Sequence, residues 1–552
     1  MTSHRFLTIL LTAALLPSTG AFAQATAQMG PAALMGTVSS TQEGNMEGVL
    51  VSAKRTGSTV TTTVVTDEQG RYAFPVSRMQ PGHYDIAIRA VGYRLSAPMA
   101  VDIAGGNAAS ANLALQKVTD PHELGLQLNN AEWLMSMPPP GMGCVNCHTL
   151  HRIVFSQHTA DEWAQIIPRM GTYVNNAHPL TPQAVLPGPR QAEEGPINME
   201  AVRRTADYLA EINLSKRDLW NYELKPLPRP TGRATRVIIT TYDLPRPETM
   251  AHDAITTPDG RAWFSDFGHQ YIGSINPETG EVTEYRFPVL KPRNPKGFLQ
   301  IDADPDGNVW GANMHQGLVG KVDGRTGKIT VYPVPAEWQS NNTQESMISP
   351  EHSNVDGKVW TNNQDMGAIL RLDIATGKFE DFGPPTDSNG VTVRGYGQRS
   401  DAENNLYIFQ MRGQEIAHID GRTKEVTIYR TPSDRTRPRR GRVASDGKVW
   451  FALNGANGIG MFDPATKTIK EWTVPFERLT PYDATPADNG EAWAGGEYTD
   501  RVVRFNPATN EFVYYLLPIQ IDIRRVFFDN ARNTFWVGSN NTPHVLRVEP
   551  LD

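Results

Sequence analysis

Hydrophobic and polar residues alternate along most of this chain with the period of two that buries one face of a β-strand. From Ala33 to Leu115 the alternating runs are short: Gly48-Val-Leu-Val-Ser-Ala53, Thr61-Thr-Thr-Val-Val65 and Tyr84-Asp-Ile-Ala-Ile88, with turn formers at Asp67-Glu-Gln-Gly70 and Pro81-Gly82. Short strands punctuated in this way predict a small β-sandwich over residues 33–117. Between Thr119 and Leu227 the period becomes that of a helix. Trp163, Ile166, Ile167 and Met170 fall on one face of a helix predicted over Ala160–Met170, with Pro168 kinking it near its end, and a second amphipathic helix is predicted over Val202–Ile212.

Beyond Arg233 the alternation returns and repeats. A turn and an aromatic strand, Asp-Gly-x-x-Trp or a close variant, recur with the aromatic residue at Trp263, Trp310, Trp360, Tyr407, Trp450, Trp493 and Trp536, at intervals of 47, 50, 47, 43, 43 and 43 residues. A second turn follows, as in Pro277-Glu-Thr-Gly280 and Gly324-Arg-Thr-Gly327, and then an outer strand carrying Tyr, Phe or Trp. A period of roughly 40–50 residues with four strands per unit predicts a β-propeller. The seventh unit stops at Val545-Leu-Arg-Val548 without its outer strand, and Arg236-Val-Ile-Ile-Thr-Thr-Tyr242, ahead of the first unit, can supply it. The expected fold is mainly β and multidomain, with a small sandwich, a small α-helical domain at 119–227 and a seven-bladed propeller at 233–552 that closes on a strand from its own beginning.

Composition narrows the classes of function. A formal charge of −7, a pI near 6.0 and 20% charged residues supply no basic field, which argues against nucleic acid as a partner. At the N-terminus, His4 and Arg5 precede the apolar run Phe6–Leu16, and Ala21-Phe22-Ala23 offers the small residues of a cleavage site. Residues 1–23 therefore read as a secretory signal peptide, and the mature protein is expected in the periplasm or secreted, with no transmembrane segment after cleavage.

The chain has two cysteines, and both lie in Cys144-Val-Asn-Cys147-His148. Two thiols three residues apart can reach the two vinyl groups of one haem, and the histidine directly behind them presents imidazole to its iron. A zinc site using His148 and His151 would strain adjacent ligands, and a redox CxxC pair would want a strand that this segment lacks. The expectation is one covalent haem c, with Cys144 and Cys147 as attachment points and His148 as proximal iron ligand. Met170 is the first choice for the distal ligand; Met199, one of His151, His158 or His178, and an open site remain alternatives.

Three resemblances follow from these residues. The run Gly36-Thr-Val, Gly48-Val-Leu-Val, Thr66-Asp-Glu-Gln-Gly-Arg-Tyr-Ala-Phe74, Pro81-Gly-His-Tyr84 and Ala90-Val-Gly-Tyr93 resembles carboxypeptidase regulatory-like domains. The order CxxCH, Arg152, Trp163 to Met170 and Tyr208-Leu-Ala resembles small monohaem cytochrome c modules. The repeats, clearest at His252-Asp-Ala-Ile-Thr-Thr-Pro-Asp-Gly-Arg-Ala-Trp-Phe-Ser-Asp266, resemble virginiamycin B lyase and its relatives. That resemblance implies acidic residues and histidines holding magnesium at the central opening while a C–O bond is eliminated. Only blade one carries the matching carboxylate, Asp266; the other blades have Asn313, Asn363, Gln410, Leu453, Gly496 and Ser539, which counts against streptogramin lyase activity.

Other polar residues are expected around one central funnel: His252, Asp253, Lys296, Glu351, His352, Arg394, Arg440, Tyr482, Asp483 and Arg524 at the innermost strands, with His269 and His315 in the loops. His252, His315, His352 and Asp266 are the candidate catalytic residues, and Asp253, Asp266 and Glu351 the candidate ligands for Mg²⁺ or Ca²⁺. The leading expectation is an exported c-type haem protein in electron transfer with a periplasmic redox partner, oxidising a small molecule at the propeller opening. A metal-dependent lyase or hydrolase is one alternative, and an envelope protein binding a small-molecule or glycan ligand is the other.

Overall fold

The structure, a computed structural model, describes residues 30–141, 145, 148–178, 180–181, 184–185, 197–339, 345–364 and 366–552. The signal peptide, Cys144 and Cys147 lie outside the described residues. Six four-stranded antiparallel sheets follow one another from Ala251 to Leu516, and a seventh is built from Val526–Asp529, Thr534–Gly538, His544–Pro550 and the early strand Val237–Asp243. The early strand pairs antiparallel with the last one, from Val237 opposite Pro550 to Asp243 opposite His544. The aromatic repeat confirms the closure. In blades one, two, five and six the repeat tryptophan stacks on an outer-strand aromatic, as Trp263 does on Tyr285 and Trp493 on Tyr515. In blade seven Trp536 stacks on Tyr242 of the early strand, with centroids 5.8 Å apart.

A propeller strand in this outer position normally presents unpaired backbone groups to solvent, and Val282–Arg286, Ile329–Pro333 and Val426–Arg430 are only partly buried. Val237–Asp243 is buried along almost its whole length. Its free edge pairs antiparallel with Val60–Val65 of the sandwich, Thr240 opposite Thr62 and Ile238 opposite Val64. Blade seven and one sheet of the sandwich are thus a single eight-stranded sheet. The sequence suits this: both strands are runs of β-branched residues, which pack well against each other on a pleated surface. Leu50 and Val65 of the sandwich share a core with Ile239, Leu546 and Val548, and Arg78–Glu549 and Arg89–Asp500 ion pairs flank the joint at 2.5 and 2.6 Å.

Five α-helices lie among the described residues between sandwich and propeller: α1 (Pro121–Gln127), α2 (Asn130–Ser136), α3 (His151–Val154), α4 (Ala160–Met170) and α5 (Met199–Ile212). Trp133, Phe155 and Trp220 form their aromatic centre, each ring edge-on to the others at 4.9–6.0 Å. α4 has the expected bounds because Thr159 and Glu162 form a capping box, and it runs through Pro168 to Met170. α5 starts three residues before the predicted Val202 because the Asn198 side chain accepts from Ala201 N at 3.0 Å.

The helical region rests on one end of the propeller, the end at which the innermost strands begin. Asn129 Nδ2 donates to Thr499 O at 3.0 Å, Ala131 N to Tyr498 O at 2.9 Å and Gln520 Nε2 to Leu128 O at 3.1 Å, all around blade six. On the blade one side, Asn176 Nδ2 donates to Phe267 O at 2.8 Å and Lys296 O at 2.5 Å. No helix among the described residues is long and apolar enough to cross a membrane.

The shared strand makes a direct prediction. Ile239→Ala, in a fully buried position, lowers stability by about 2–5 kcal/mol, and because the sheet is continuous, sandwich and propeller melt in one calorimetric transition before and after the change. Two separated transitions, with only one displaced by the substitution, would contradict the joint.

Candidate functional site

Charged residues of the innermost strands meet in one buried network, and the backbone explains how they reach the axis. In blades one, two, three, five and six the register of the innermost strand slips, between Ala251 and Ala254, Phe298 and Ile301, Glu345 and Ile348, Pro438 and Gly441, and Pro481 and Ala484. A bulge releases a residue from strict alternation and re-aims its side chain. His252-Asp253, Arg439-Arg440 and Tyr482-Asp483 sit in these slips.

Asp253 of blade one is the hub. Its Oδ1 accepts from Arg440 Nη1 of blade five at 3.1 Å and pairs with His252 Nδ1 at 2.7 Å, while Oδ2 accepts from Arg525 Nη1 of blade seven at 3.0 Å. Arg525 Nη2 also donates to Asp302 of blade two at 2.6 Å, and its Nε is 3.8 Å from Asp483 of blade six. Arg399 of blade four is 3.7 Å from Asp302 and 3.5 Å from Glu351 of blade three. Every blade therefore adds an ionisable group to the network. Burial alone would raise the Asp253 and Asp302 carboxyls; the guanidinium groups, Arg440 and Arg525 for the first and Arg525, Arg442 and Arg399 for the second, hold both well below the ordinary range. Glu351 moves the other way, pushed up to about 8 by burial and by the Asp302 charge, so it keeps a proton at neutral pH.

This filled axis separates two ends. At the end beneath the helical region, Met250, Phe267, Met314, Met347, Tyr396 and Tyr482 form an apolar cluster. The Tyr396 and Tyr482 hydroxyls are hydrogen-bonded to each other, Arg439 lies over the Tyr482 ring at 3.7 Å, and Arg439 and Arg524 share Glu497 at 3.2 and 2.6 Å. His252 packs on Phe267 with centroids 4.7 Å apart. Burial pushes the His252 imidazole down to about 4. It is neutral at pH 7, and with Nδ1 donating to Asp253 its Nε2 keeps the lone pair of a general base. Arg440 Nη2 and Nε have no hydrogen-bond partner among the described residues.

The structure does not gather all the expected residues. Asp266 is at the same end as His252, but fully buried and held by Arg246 Nη2 at 2.6 Å and Gly268 N at 3.0 Å. His315 is also at that end, fully buried, with neither ring nitrogen partnered among the described residues, and burial with the Lys291 charge pushes it down to about 4. His352 and Glu351 follow the last residue of blade three's innermost strand and so lie at the opposite end, His352 Nδ1 being 3.2 Å from Ser400 Oγ. The three histidines therefore do not converge, because sequence offsets number the blades but do not distinguish the two ends of a strand. Lys296 and Arg394 are exposed loop residues. Asp253, Asp266 and Glu351 do not form a cation site: among the described residues no three His, Cys, Asp or Glu side chains are grouped to hold a metal. Sequence reasoning missed Asp302, Tyr396, Arg399, Glu497 and Arg525. The available signal was a charge inside an otherwise apolar inner strand, as in Phe298-Leu-Gln-Ile-Asp302.

In the helical region, His148 is partly buried and its Nδ1 is 2.8 Å from Thr149 O. A carbonyl only accepts, so the proton sits on Nδ1 and Nε2 carries the lone pair, the arrangement of an imidazole ready to bind a metal. Burial and the nearby Arg152 charge hold His148 below its ordinary value. Met170, at the end of α4, is 38% exposed and Met199 is 58% exposed; Leu180, Val185 and Ile197 in the same stretch are exposed apolar residues too. Of the other distal candidates, His151 Nε2 donates to Gly125 O at 3.1 Å, His158 packs on Trp163, and His178 is buried. Burial lowers His178, and the neighbouring His269 and Arg152 add to this.

Comparison with known proteins fits this architecture. The model of the Virginiamycin B lyase family matches residues 292–550, and that of the Carboxypeptidase regulatory-like domain matches residues 33–116. The first match lies within the propeller and begins after blade one, so His252, Asp253 and Asp266 precede it. No curated protein matches the chain. Among solved structures, selenomethionine-substituted virginiamycin B lyase from Staphylococcus aureus is 18% identical with a TM-score of 0.49, over 57% of this chain and 99% of the other. A streptogramin B lyase structure is 19% identical with a TM-score of 0.47, over 58% and 99%. A catalytically inactive virginiamycin B lyase from Staphylococcus aureus, with quinupristin, is 17% identical with a TM-score of 0.48, over 57% and 99%.

The two neutral buried histidines set a pH dependence. In the unfolded chain His252 and His315 take up protons below about their ordinary value of 6.5, whereas in the fold they resist until about 4. The unfolded state thus binds more protons in this window, so stability is fully present above it and is lost as the pH falls from 6.5 towards 4. His315→Leu removes one of the two groups, and its melting temperature falls less steeply than that of the wild type between these limits, overtaking it at the acid end. Parallel curves would show that His315 does not titrate as its burial requires.

Proposed function

We propose that this protein is an exported c-type haem protein that transfers electrons, and that a small molecule held at the propeller end beneath the helical region is oxidised there. The pentapeptide Cys144-Val145-Asn146-Cys147-His148, which takes up both cysteines of the chain, carries this reading. Two features of the fold support it. The His148 tautomer leaves Nε2 for iron, and the helical region sits on the end of the propeller that holds His252, Tyr396, Tyr482 and Arg440. Bound haem c supplies one-electron transfer, with a periplasmic redox partner taking the electrons onward.

The chain's own residues have separate tasks. Cys144 and Cys147 would attach the group, His148 would hold its iron through Nε2, and Met170 is the candidate for the second iron ligand. At the propeller end, Arg440 Nη2 and the Tyr396 and Tyr482 hydroxyls offer hydrogen bonds to an oxygen-bearing substrate. His252 Nε2 takes the proton that the substrate releases, and Asp253 offsets the charge that then forms on the imidazole. The helical region keeps bulk water from this end and so strengthens each of these interactions.

A lyase or hydrolase, or a protein that binds an envelope ligand without turnover, is the second reading. The family match over residues 292–550 favours it, and a His252–Asp253 pair can draw a proton from carbon as well as from a substrate undergoing oxidation. Mg²⁺ or Ca²⁺ has no gathered ligand set among the described residues.

Absorption spectroscopy separates the readings. Protein matured in a host that attaches haem c shows one haem per chain, and Cys144→Ala together with Cys147→Ala removes it. Met170→Ala removes the far-red methionine–iron band and lowers the potential. Colourless wild-type protein would overturn the electron-transfer reading and leave the second one.

A further inference from the structure

The other end of the axis holds a pocket that the electron-transfer reading does not use. Its cavity measures 440 Å³ and lies between blades one, five, six and seven, on the face away from the helical region. Arg442, Thr485, Phe527 and Val443 are among its walls. A cavity of this size is in the range of small-molecule sites, roughly 300–1,000 Å³.

Its charges are unevenly satisfied. Asp529 accepts from Thr256 Oγ1 at 2.8 Å and from Arg532 Nη1 at 2.9 Å, and Arg532 Nη2 donates to Pro258 O at 2.9 Å, so this rim pair is complete. Asp488 accepts from Ser445 Oγ at 3.3 Å. Arg442 differs. Its Nη2 is 3.5 Å from Asp302 Oδ2 and makes no hydrogen bond to any described residue. Asp302 is already the partner of Arg525 at 2.6 Å and lies 3.7 Å from Arg399, so one carboxylate serves three guanidinium groups. Glu351, the carboxyl that shares Arg399 with Asp302, is pushed up to about 8 by burial and the Asp302 charge and does not make up the deficit. Thr485 is 1% exposed, and its hydroxyl has no partner among the described residues. A buried hydroxyl and a buried guanidinium nitrogen left without acceptors are costly unless a ligand supplies the acceptors.

The geometry points to a binding site for a small organic carboxylate, in which Arg442 and the Thr485 hydroxyl take the carboxylate and the apolar body lies along Phe527 and Val443. A guanidinium matches a carboxylate through two parallel hydrogen bonds. The Arg442 group also sits over the Phe527 ring at 4.9 Å, which fixes its plane and leaves an aromatic wall beside it. The apolar wall favours an organic acid over a bare inorganic anion.

Titration calorimetry on the full-length protein tests this, with benzoate as the probe and benzamide and inorganic phosphate as controls. Benzoate binds with one site per chain, benzamide at least tenfold more weakly, and phosphate more weakly than benzoate. Arg442→Gln weakens benzoate binding at least tenfold. Thr485→Val, which keeps the side-chain shape, weakens it severalfold and leaves folding intact should the arginine variant fail to fold. Absence of benzoate binding at millimolar concentration, benzoate affinity unchanged in Thr485→Val, or phosphate binding better than benzoate would each overturn the assignment. None of these results depends on haem content, so the site stands or falls apart from the electron-transfer reading.

Discussion

The contact on which the rest of the structure depends is the one that Arg525 makes across the propeller axis. A propeller is held between blades by apolar packing, but its centre is narrow, and here the innermost strands or the residues next to them bring ionisable side chains to it. Here one guanidinium reaches Asp253, Asp302 and Asp483, on blades one, two and six, and Arg440 and Arg399 cross from blades five and four to the same acids and to Glu351. Three of the acids stand on blades one, two and three and the arginines on blades four, five and seven, with Asp483 of blade six between Arg440 and Arg525, so the ion pairs tie blades together around the opening and fill it. Buried ion pairs are poor sources of net stability compared with apolar packing. Their value here is geometric. They fix where the bulged segments stand and so hold His252, Tyr396 and Tyr482 in place at one end and Arg442 at the other.

Three modules share the consequences of that closure. The sandwich is bonded to the propeller through the strand Val237–Asp243, which serves blade seven on one edge and the sandwich on the other. The helical region lies against the loops of blades one, two and six. Apolar side chains, methionine and tyrosine in particular, therefore fill the space between the charge network and the helices, and the polar groups that face this space are few and specific. The helical region and the propeller end that holds the neutral His252 imidazole are thus separated by a largely apolar layer.

The sequence made the repeats legible because each blade places a tryptophan or tyrosine at the same step of an alternating strand. It also made the closure legible, because Val545-Leu-Arg-Val548 lacks a following strand while Arg236–Tyr242 has no blade of its own. α4 was legible from Trp163, Ile166, Ile167 and Met170 alone. The site was only partly legible, for a physical reason. Arg524 and Arg525 stand just ahead of the strand Val526–Asp529, where alternation does not say which of two neighbours faces the axis, so Arg524 was visible and Arg525, the more central group, was not. Alternation also carries no mark of which end of a strand a loop residue occupies, and His352 was grouped with His252 although the full length of an inner strand separates their levels. The sandwich's pairing with Val237–Asp243 had no signal beyond β-branched composition, since either edge could have been left to solvent.

The measurement that tests this account most directly is diffraction at the iron absorption edge from crystals of the exported protein. The account predicts one anomalous peak per chain, bonded to His148 and on the side of the charge network that holds His252 and Tyr482. No iron at all, or iron bound away from His148, would contradict it.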